Sequence, residues 1–332
     1  MSNHVTRPPI VLKGYHWSQS ELEASGPSGI FYFALNMTSL CNYRCPYCFV
    51  GLANLRDVHN ELDLQKKLSL ISESKALGAR VVIMPGKGEP LIDKDFWTIL
   101  EHANQLGMWV VLYTNAFSLS EDIIHKLYDA EISLYVKIDS FEREVYEEVV
   151  GRKDVFDKIT RNMDLLLTKF HKPEISKDII VSRLGVNSVV TVKNISSIAK
   201  VSAWCLENNI FYTCRSPVKV GEANSTWSYL VGNKVETLRD IGKRYANRSF
   251  TSATPAGQCG IYRYGITVEN DGEIYVCPDA HEGFERIGNV KRSSLSELLR
   301  KKNTLYPPNS SKGFCFVKAE KNPEENMRLN NS

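Results

Sequence analysis

Three cysteines on one short stretch of the chain are spaced for holding metal. Cys41, Cys45 and Cys48 form a C-x3-C-x2-C pattern in a chain of 332 residues that has eight cysteines. Three thiolates on one loop can bind three irons of a cubane cluster and leave the fourth iron without a protein ligand. A structural zinc site is the alternative, but zinc needs four closed ligands, and no fourth cysteine or histidine is local. The spacing therefore favours a cluster with one open iron, which is what a cofactor needs in order to bind through amino and carboxylate groups of its own.

A glycine-rich turn follows the next predicted strand and reads Gly86-Lys87-Gly88-Glu89-Pro90. A sharp turn after a strand exposes backbone carbonyls, and here also the Glu89 carboxylate, to the ammonium group of a ligand. Polar residues also lie at the ends of the next two predicted strands: Thr114 and Asn115 at the third, and Lys137, Asp139 and Ser140 at the fourth. An ordinary solvated strand end is the alternative interpretation of each of them.

The cysteine loop and the turn together resemble those of the radical S-adenosylmethionine superfamily. Tyr47 stands beside the last cysteine, and the turn is similar to the family's GGEP segment with Lys87 in place of one glycine. The resemblance implies a 4Fe–4S cluster on the three cysteines and S-adenosylmethionine as the second cofactor. In that family, reductive cleavage of the cofactor yields a 5′-deoxyadenosyl radical that abstracts hydrogen from the substrate.

The same resemblance assigns residues to the cofactor site. Tyr47 is expected to pack near the adenine, and the polar ends of the third and fourth strands near the ribose or the methionine carboxylate. Arg152 and Ser188 stand where the family often has carboxylate-binding side chains. The predicted cofactor-binding residues are Tyr47, Gly86, Gly88, Glu89, Pro90, Thr114, Asn115, Lys137, Asp139, Arg152 and Ser188.

Three cysteines in the last quarter of the chain form a second group. Cys259, Cys277 and Cys315 resemble part of the family's SPASM or twitch extension, which holds auxiliary clusters, but Lys318 stands where a partner cysteine is expected. Three cysteines cannot close a site of four, so the resemblance implies one auxiliary cluster and excludes a full two-cluster SPASM domain. Ordinary thiols in a small subdomain are the alternative. The candidates for the fourth ligand are Asp279, His281, Cys214, substrate and solvent.

Two further cysteines lie in the predicted barrel. Cys214 ends the sixth strand beside Arg215, where a thiol can donate a hydrogen atom or bind metal, and it is the candidate catalytic residue. A buried free cysteine is the alternative for it. Cys205 lies on the apolar face of a predicted helix and is expected in the core.

The elements that position these residues alternate between apolar, β-rich runs and helical patterns. The predicted strands are Ile30–Asn36, Val81–Pro85, Trp109–Thr114, Leu134–Asp139, Arg183–Val192 and Ile210–Thr213. The predicted helices between them are Leu62–Leu77, Asp95–Leu106, Glu121–Asp129, Phe156–Phe170 and Ile195–Asn208. This alternation predicts an α/β fold with a parallel sheet, a partial (β/α)6 TIM-like barrel, whose chemistry gathers at the carboxyl ends of the strands.

The pattern changes after residue 233, where a small α+β extension of the twitch or SPASM kind is predicted. Its predicted elements are Lys234–Tyr245, Tyr264–Glu269, Glu273–Cys277, Ile287–Val290 and Ser294–Lys302. The predicted domains are an N-terminal extension at 1–30, the radical S-adenosylmethionine barrel at 31–233, the auxiliary-cluster domain at 234–320 and a flexible tail at 321–332.

Composition narrows the class of protein. The chain is 43% hydrophobic and 24% charged, and its net charge of +3 comes from basic residues spread along its length. This balance predicts a packed core and no partnership with nucleic acid or a membrane. Because no apolar targeting segment precedes the barrel, the protein is expected in the cytoplasm, where cysteines favour metal or catalytic roles over disulfides.

Three functions are compatible with these patterns. The first is a radical enzyme that oxidises or epimerises a small metabolite such as a sugar or an aminoglycoside, with an external electron donor such as flavodoxin or ferredoxin. The second is a maturase of a ribosomally made peptide; only forty residues precede Cys41, which favours the small molecule. The third, a non-catalytic iron–sulfur or zinc module, leaves the glycine-rich turn unexplained.

Overall fold

The apolar runs of the sequence become neighbouring strands of one sheet. The structure, a computed structural model, describes residues 7–24, 26, 29–51, 58–130, 132–170, 172–245, 263–276, 278 and 286–306. The strands are β1 (Ile10–Leu12), β2 (Tyr32–Leu35), β3 (Val81–Met84), β4 (Trp109–Thr114), β5 (Ser133–Lys137), β6 (Glu174–Ile175), β7 (Ile180–Ser182), β8 (Leu184–Val189), β9 (Phe211–Arg215), β10 (Gly265–Val268), β11 (Glu273–Tyr275) and β12 (Gly288–Asn289).

Helices connect these strands and cover one face of the sheet. They are α1 (Gln19–Glu23), α2 (Leu64–Ala76), α3 (Phe96–Gln105), α4 (Glu121–Asp129), α5 (Arg143–Val150), α6 (Phe156–Phe170), α7 (Ile198–Glu207), α8 (Glu222–Ser225), α9 (Trp227–Val231), α10 (Val235–Tyr245) and α11 (Leu295–Leu305), with a short 3-10 helix at Pro90–Ile92. Among the described residues, none of these helices is long and apolar enough to cross a membrane.

Within the described residues, the main sheet has nine strands in the order β12-β11-β10-β2-β3-β4-β5-β8-β9. The strands from β10 to β9 in this order all pair in parallel. At the other edge, β11 pairs antiparallel with β10, and β12 pairs antiparallel with β11. The two end strands do not pair with each other, so the barrel stays open. The predicted α/β fold, a partial barrel with its parallel sheet, is confirmed.

Register separates the two faces of the sheet. Directly paired residues share a face, which places Lys137, Asn187 and Thr213 together on one side. Ser188 and Cys214 pair on the other side, where the Cys214 thiol approaches backbone carbonyls of α10. We call the first side the inner face, because helices cover the second. Polar residues thus collect at the carboxyl end of the inner face.

A second small sheet was not predicted. It has the order β1-β7-β6, with β1 and β7 parallel and Ile10 opposite Ile180. Strands of two or three residues carry too little pattern to be recognised locally and depend on pairing with distant parts of the chain. The segment around β1 also reaches the inner face, because the Tyr15 hydroxyl lies 2.8 Å from that of Tyr113. The predicted domain boundaries remain predictions.

Candidate cluster and cofactor site

The three-cysteine loop begins after β2, next to the turn that follows β3. Cys41, Cys45 and Cys48 are free and half-buried. Burial raises the pKa of the Cys41 thiol to about 11 and also raises the pKa values of Cys45 and Cys48. A thiol binds iron as the thiolate, so cluster assembly displaces these protons.

The described side chains also bear on the zinc alternative. Among the residues that the structure describes, no three cysteine, histidine or acidic side chains converge on a single ion. A zinc site requires such convergence, whereas a cubane binds each thiolate to a different iron.

At three glycines, the backbone of another segment lies very close to carbonyl oxygens of this loop. A Cβ on Gly88 would lie 2.2 Å from the Leu40 oxygen, and one on Gly151 would lie 2.1 Å from the Arg44 oxygen. A Cβ on Gly221 would lie 2.3 Å from a third loop carbonyl. Gly151 and Gly221 also have φ values of +64° and +57°, which other residues adopt only with strain. The loop therefore sits in a cradle that requires glycine on three sides, as expected for a loop that must hold a cluster.

Hydrogen bonds from within the loop and from neighbouring segments hold the loop carbonyls in place. Arg44 donates to the Cys41 oxygen at 2.9 Å, and Arg152 donates to the Asn42 oxygen at 2.5 Å. The Thr226 hydroxyl donates to the Pro46 oxygen at 2.6 Å, and the backbone NH of Glu222 to the Cys48 oxygen at 2.9 Å. Arg152, predicted to bind a carboxylate, thus supports the cluster loop here. Together these hydrogen bonds fix the backbone of the loop.

Glu89 connects the glycine-rich turn to the end of β4. Its side chain is almost fully buried, at 2% exposure. It accepts hydrogen bonds from the Thr114 hydroxyl at 2.7 Å and from the Asn115 backbone NH at 2.8 Å. Three residues predicted as separate cofactor contacts therefore form one unit. That Glu89 also faces the cofactor's amino group remains a prediction.

The pKa of Glu89 leads to a prediction about stability. Burial raises this pKa from about 4.5 to about 7. Between these values the folded chain binds a proton that the unfolded chain has released, so the free energy of unfolding falls as pH rises through this window. The loss attributable to Glu89 is about 3 kcal/mol. Urea denaturation between pH 5 and 8 should show a flatter pH dependence for Glu89→Gln than for the wild type; equal slopes would contradict the prediction.

Tyr47 belongs to a second unit, centred on Asp139. The Tyr47 hydroxyl donates to Asp139 at 2.7 Å, and the Lys137 ammonium forms an ion pair with the same carboxylate. The Lys137 nitrogen also lies 4.8 Å from the centre of the Tyr47 ring. Burial lowers the pKa of Lys137, against the opposing effect of Asp139. The network connects the aromatic ring of this loop residue to the end of β5, and no pattern in the sequence indicated that the three residues act together.

Ser188 and Cys214 lie on the helix-covered face. The Ser188 hydroxyl is fully buried, donates to the Ile138 oxygen and accepts from Tyr212 at 3.1 Å. The Cys214 sulfur lies 3.6 Å from the Gly242 oxygen in α10, and burial raises its pKa to about 11. This placement opposes the hydrogen-donor role predicted for Cys214, because its thiol points away from the inner face. The role of Cys214 stays a prediction, and the side on which its thiol lies depends on strand register, which was not known from the sequence.

Other supporting residues were missed by sequence reasoning. Glu61 accepts from the Ser39 backbone NH at 2.6 Å and from Asn270 at 3.1 Å, and Lys87 pairs with Glu269 at 3.1 Å. The only available signal was Lys87 itself, a cation in a glycine-rich turn. Cys259, Cys277 and Cys315, with Asp279 and His281, lie outside the described residues.

Comparison with known proteins agrees with this geometry. Residues 35–188 match the family model of the Radical SAM superfamily. Fe-coproporphyrin III synthase of Methanosarcina barkeri is 30% identical over 129 residues, or 39% of this chain, which spans 32% of that relative's length. A GTP 3′,8-cyclase of Haemophilus influenzae is 25% identical over 281 residues, covering 77% of this chain and 80% of the cyclase.

The fold has solved counterparts as well. The crystal structure of Streptococcus suis SuiB bound to S-adenosylmethionine superposes with a TM-score of 0.60 and 17% identity, covering 89% of this chain and 75% of that one. The cofactors expected for this chain, a 4Fe–4S cluster and S-adenosylmethionine, are those of the matched family. The glycine cradle and the three half-buried thiols fit them. The chain therefore carries a match to the Radical SAM superfamily over residues 35–188, a little under half of its 332 residues, and shares its fold with SuiB.

Proposed function

We propose that this protein cleaves S-adenosylmethionine reductively and uses the resulting radical to abstract hydrogen from a substrate. The observation that carries the proposal is the cysteine loop held against Gly88, Gly151 and Gly221 at the carboxyl edge of the sheet. Bound there, the cluster and S-adenosylmethionine supply the electron and the 5′-deoxyadenosyl radical. We propose Cys41, Cys45 and Cys48 as its iron ligands.

The protein's own residues would orient the cofactor and exclude water. Glu89, held in place by Thr114 and Asn115, is proposed to face the amino group, where a charge-assisted hydrogen bond favours its ionised form. Tyr47, held by Asp139, is proposed to pack against the adenine. Rigid support of both groups limits the reorganisation needed when the cofactor binds.

The test is a single-protein assay. After anaerobic reconstitution with iron and sulfide and reduction with dithionite, the protein is expected to release 5′-deoxyadenosine and methionine in equal amounts. Iron loading without either product would identify a non-catalytic iron–sulfur module instead. In cells, we propose that flavodoxin or ferredoxin supplies the electron, in a reducing cytoplasm that keeps thiols free.

We propose a small polar metabolite, such as a sugar or an aminoglycoside, as the substrate to be oxidised or epimerised. The supporting observation is the inner face, where Lys137, Asn187 and Thr213 place hydrogen-bonding groups side by side. Such a surface suits a compact substrate rich in hydroxyl or amino groups. Incubation with candidate sugars in deuterated water would distinguish the outcomes, because epimerisation incorporates deuterium from an exchangeable donor and oxidation does not.

A peptide substrate is the second candidate. It is favoured by the fold shared with SuiB, which has also been crystallised bound to its precursor peptide SuiA. A peptide would extend beyond the inner face, whereas a sugar would not. Protection of exposed surface by a candidate precursor peptide, measured by hydrogen exchange, would favour the peptide; sugar turnover without such protection would exclude it.

We further propose one auxiliary cluster on Cys259, Cys277 and Cys315. The reconstituted protein is then expected to contain about eight irons per chain, and the triple alanine variant about four. The variant should still cleave the cofactor slowly, because the first cluster has its own ligands. It should lose product if the second cluster binds the substrate or accepts an electron from it. Four irons in the fully loaded wild type would refute the auxiliary cluster.

A further inference from the structure

Glu269, the residue that follows β10, contacts both the end of β2 and the glycine-rich turn. Glu269 is 1% exposed. One of its carboxylate oxygens accepts from the Asn36 side chain at 3.1 Å, and the other pairs with the Lys87 ammonium at 3.1 Å. Asn36 in turn accepts from the Lys87 backbone NH at 2.8 Å. Glu269 thus reaches the turn directly through the Lys87 side chain and indirectly through Asn36.

The next residue makes a parallel connection to the cysteine loop. The Asn270 side chain donates to Glu61 at 3.1 Å, and the same Glu61 oxygen accepts from the Ser39 backbone NH at 2.6 Å. Ser39 lies two residues before Cys41. Glu269 therefore contacts the turn, and Asn270 is linked through Glu61 to the segment that leads into the cysteine loop, although both residues are far from these segments in sequence.

Charge explains why position 87 carries a lysine. A buried carboxylate without a cationic partner is strongly destabilising, and among the described residues Lys87 is the cation recorded at Glu269. The opposite flank of the turn is held by a different contact, in which Glu89 accepts from the end of β4. The turn is therefore held at its β10 side by Lys87 and at its β4 side by Glu89.

We propose that Glu269 is a positioning residue for the cofactor turn, acting through Lys87 and Asn36. Lys87 replaces the glycine of the related turns because Glu269 requires its charge. The inference rests on the proposed function in so far as the turn binds S-adenosylmethionine. It adds that the residue following β10 helps to set the affinity for that cofactor.

The test compares Glu269→Gln, Lys87→Met, Lys87→Gly and the double variant Lys87→Gly/Glu269→Gln. In the cofactor-free chain, amide hydrogen exchange of residues 86–90 should rise at least tenfold in each single variant, because each variant loses the ion pair between Lys87 and Glu269 that holds the turn. In the reconstituted protein, the Kd for S-adenosylmethionine should rise at least tenfold. The double variant should bind the cofactor more tightly than Lys87→Gly, because no uncompensated carboxylate remains. Lys87→Met keeps the aliphatic stem and serves if another variant fails to fold.

Leu127→Ala is the control for a general loss of stability, because Leu127 is a fully buried core residue of α4. It should lower Tm without changing exchange at residues 86–90 or the Kd. The proposal is overturned if Glu269→Gln and Lys87→Met match the wild type, if their effects only equal those of Leu127→Ala, or if the double variant shows additive losses. A wild type that releases no 5′-deoxyadenosine would contradict the proposed function. The inference about Glu269 would then still be decided by the exchange measurement, because that measurement needs no cofactor.

Discussion

Replacing Cys41, Cys45 or Cys48 with alanine is expected to abolish release of 5′-deoxyadenosine. Each substitution removes one of three thiolates, and two thiolates cannot hold a cubane with its open iron in a fixed position. Iron per chain should fall by the content of one cluster, about four, in each variant. The measurements are iron analysis and chromatography of the products after anaerobic reconstitution and reduction.

The matched control is Cys205→Ala. Cys205 is fully buried in α7, so its substitution removes a thiol without touching the loop and costs about 1 kcal/mol of packing. Iron content and product release should stay within twofold of the wild type. Product release by any one of the three loop variants at the wild-type rate would show that the radical is not generated on this loop.

The second large effect is expected for Gly88→Ala. The new Cβ would lie 2.2 Å from the Leu40 oxygen and 2.7 Å from the Thr38 oxygen. Both are backbone atoms and cannot rotate away, so the turn must move off the cysteine loop. The 2.7 Å hydrogen bond from the Glu89 NH to the Leu40 oxygen would break with it. We expect at least a tenfold rise in the Kd for S-adenosylmethionine and about 1–3 kcal/mol lower stability.

Gly107→Ala separates this clash from the general effect of removing a glycine. Gly107 follows α3 with a φ of +64°, and a Cβ added there would meet nothing within 4 Å. The variant should lose about 1 kcal/mol through backbone strain and keep the wild-type Kd. Equal Kd values for the Gly88→Ala variant and the wild type would mean that contact between the turn and the loop is not needed for cofactor binding.

The central elements were predictable because their patterns are local. The structure has β4 at Trp109–Thr114 and α4 at Glu121–Asp129, with the predicted bounds. Continuous apolar runs and helical periodicity record burial directly in neighbouring residues. The short helix α5 (Arg143–Val150) was missed, since eight residues carry little periodicity. The cysteine loop was likewise recognisable, because its three ligands are adjacent in sequence.

The side of the sheet on which a residue lies was not predictable. Cys214 ends a strand as expected, but its register with Ser188 places it towards α10. A shift of one residue reverses the side that a strand residue faces. Register depends on pairing with neighbouring strands, which composition and spacing do not encode.

By itself, the sequence determined the fold class, the cysteine loop and the glycine-rich turn, each of which is written in consecutive residues. Only the tertiary structure decided what supports them. Glu89 accepts a hydrogen bond from the end of β4, Tyr47 donates one to Asp139, and Lys87 forms an ion pair with Glu269. These pairs are distant in the chain and meet because parallel strands bring their carboxyl ends to one edge. A local pattern can identify a group that binds a cofactor, but its partners are chosen by the packing of the whole sheet.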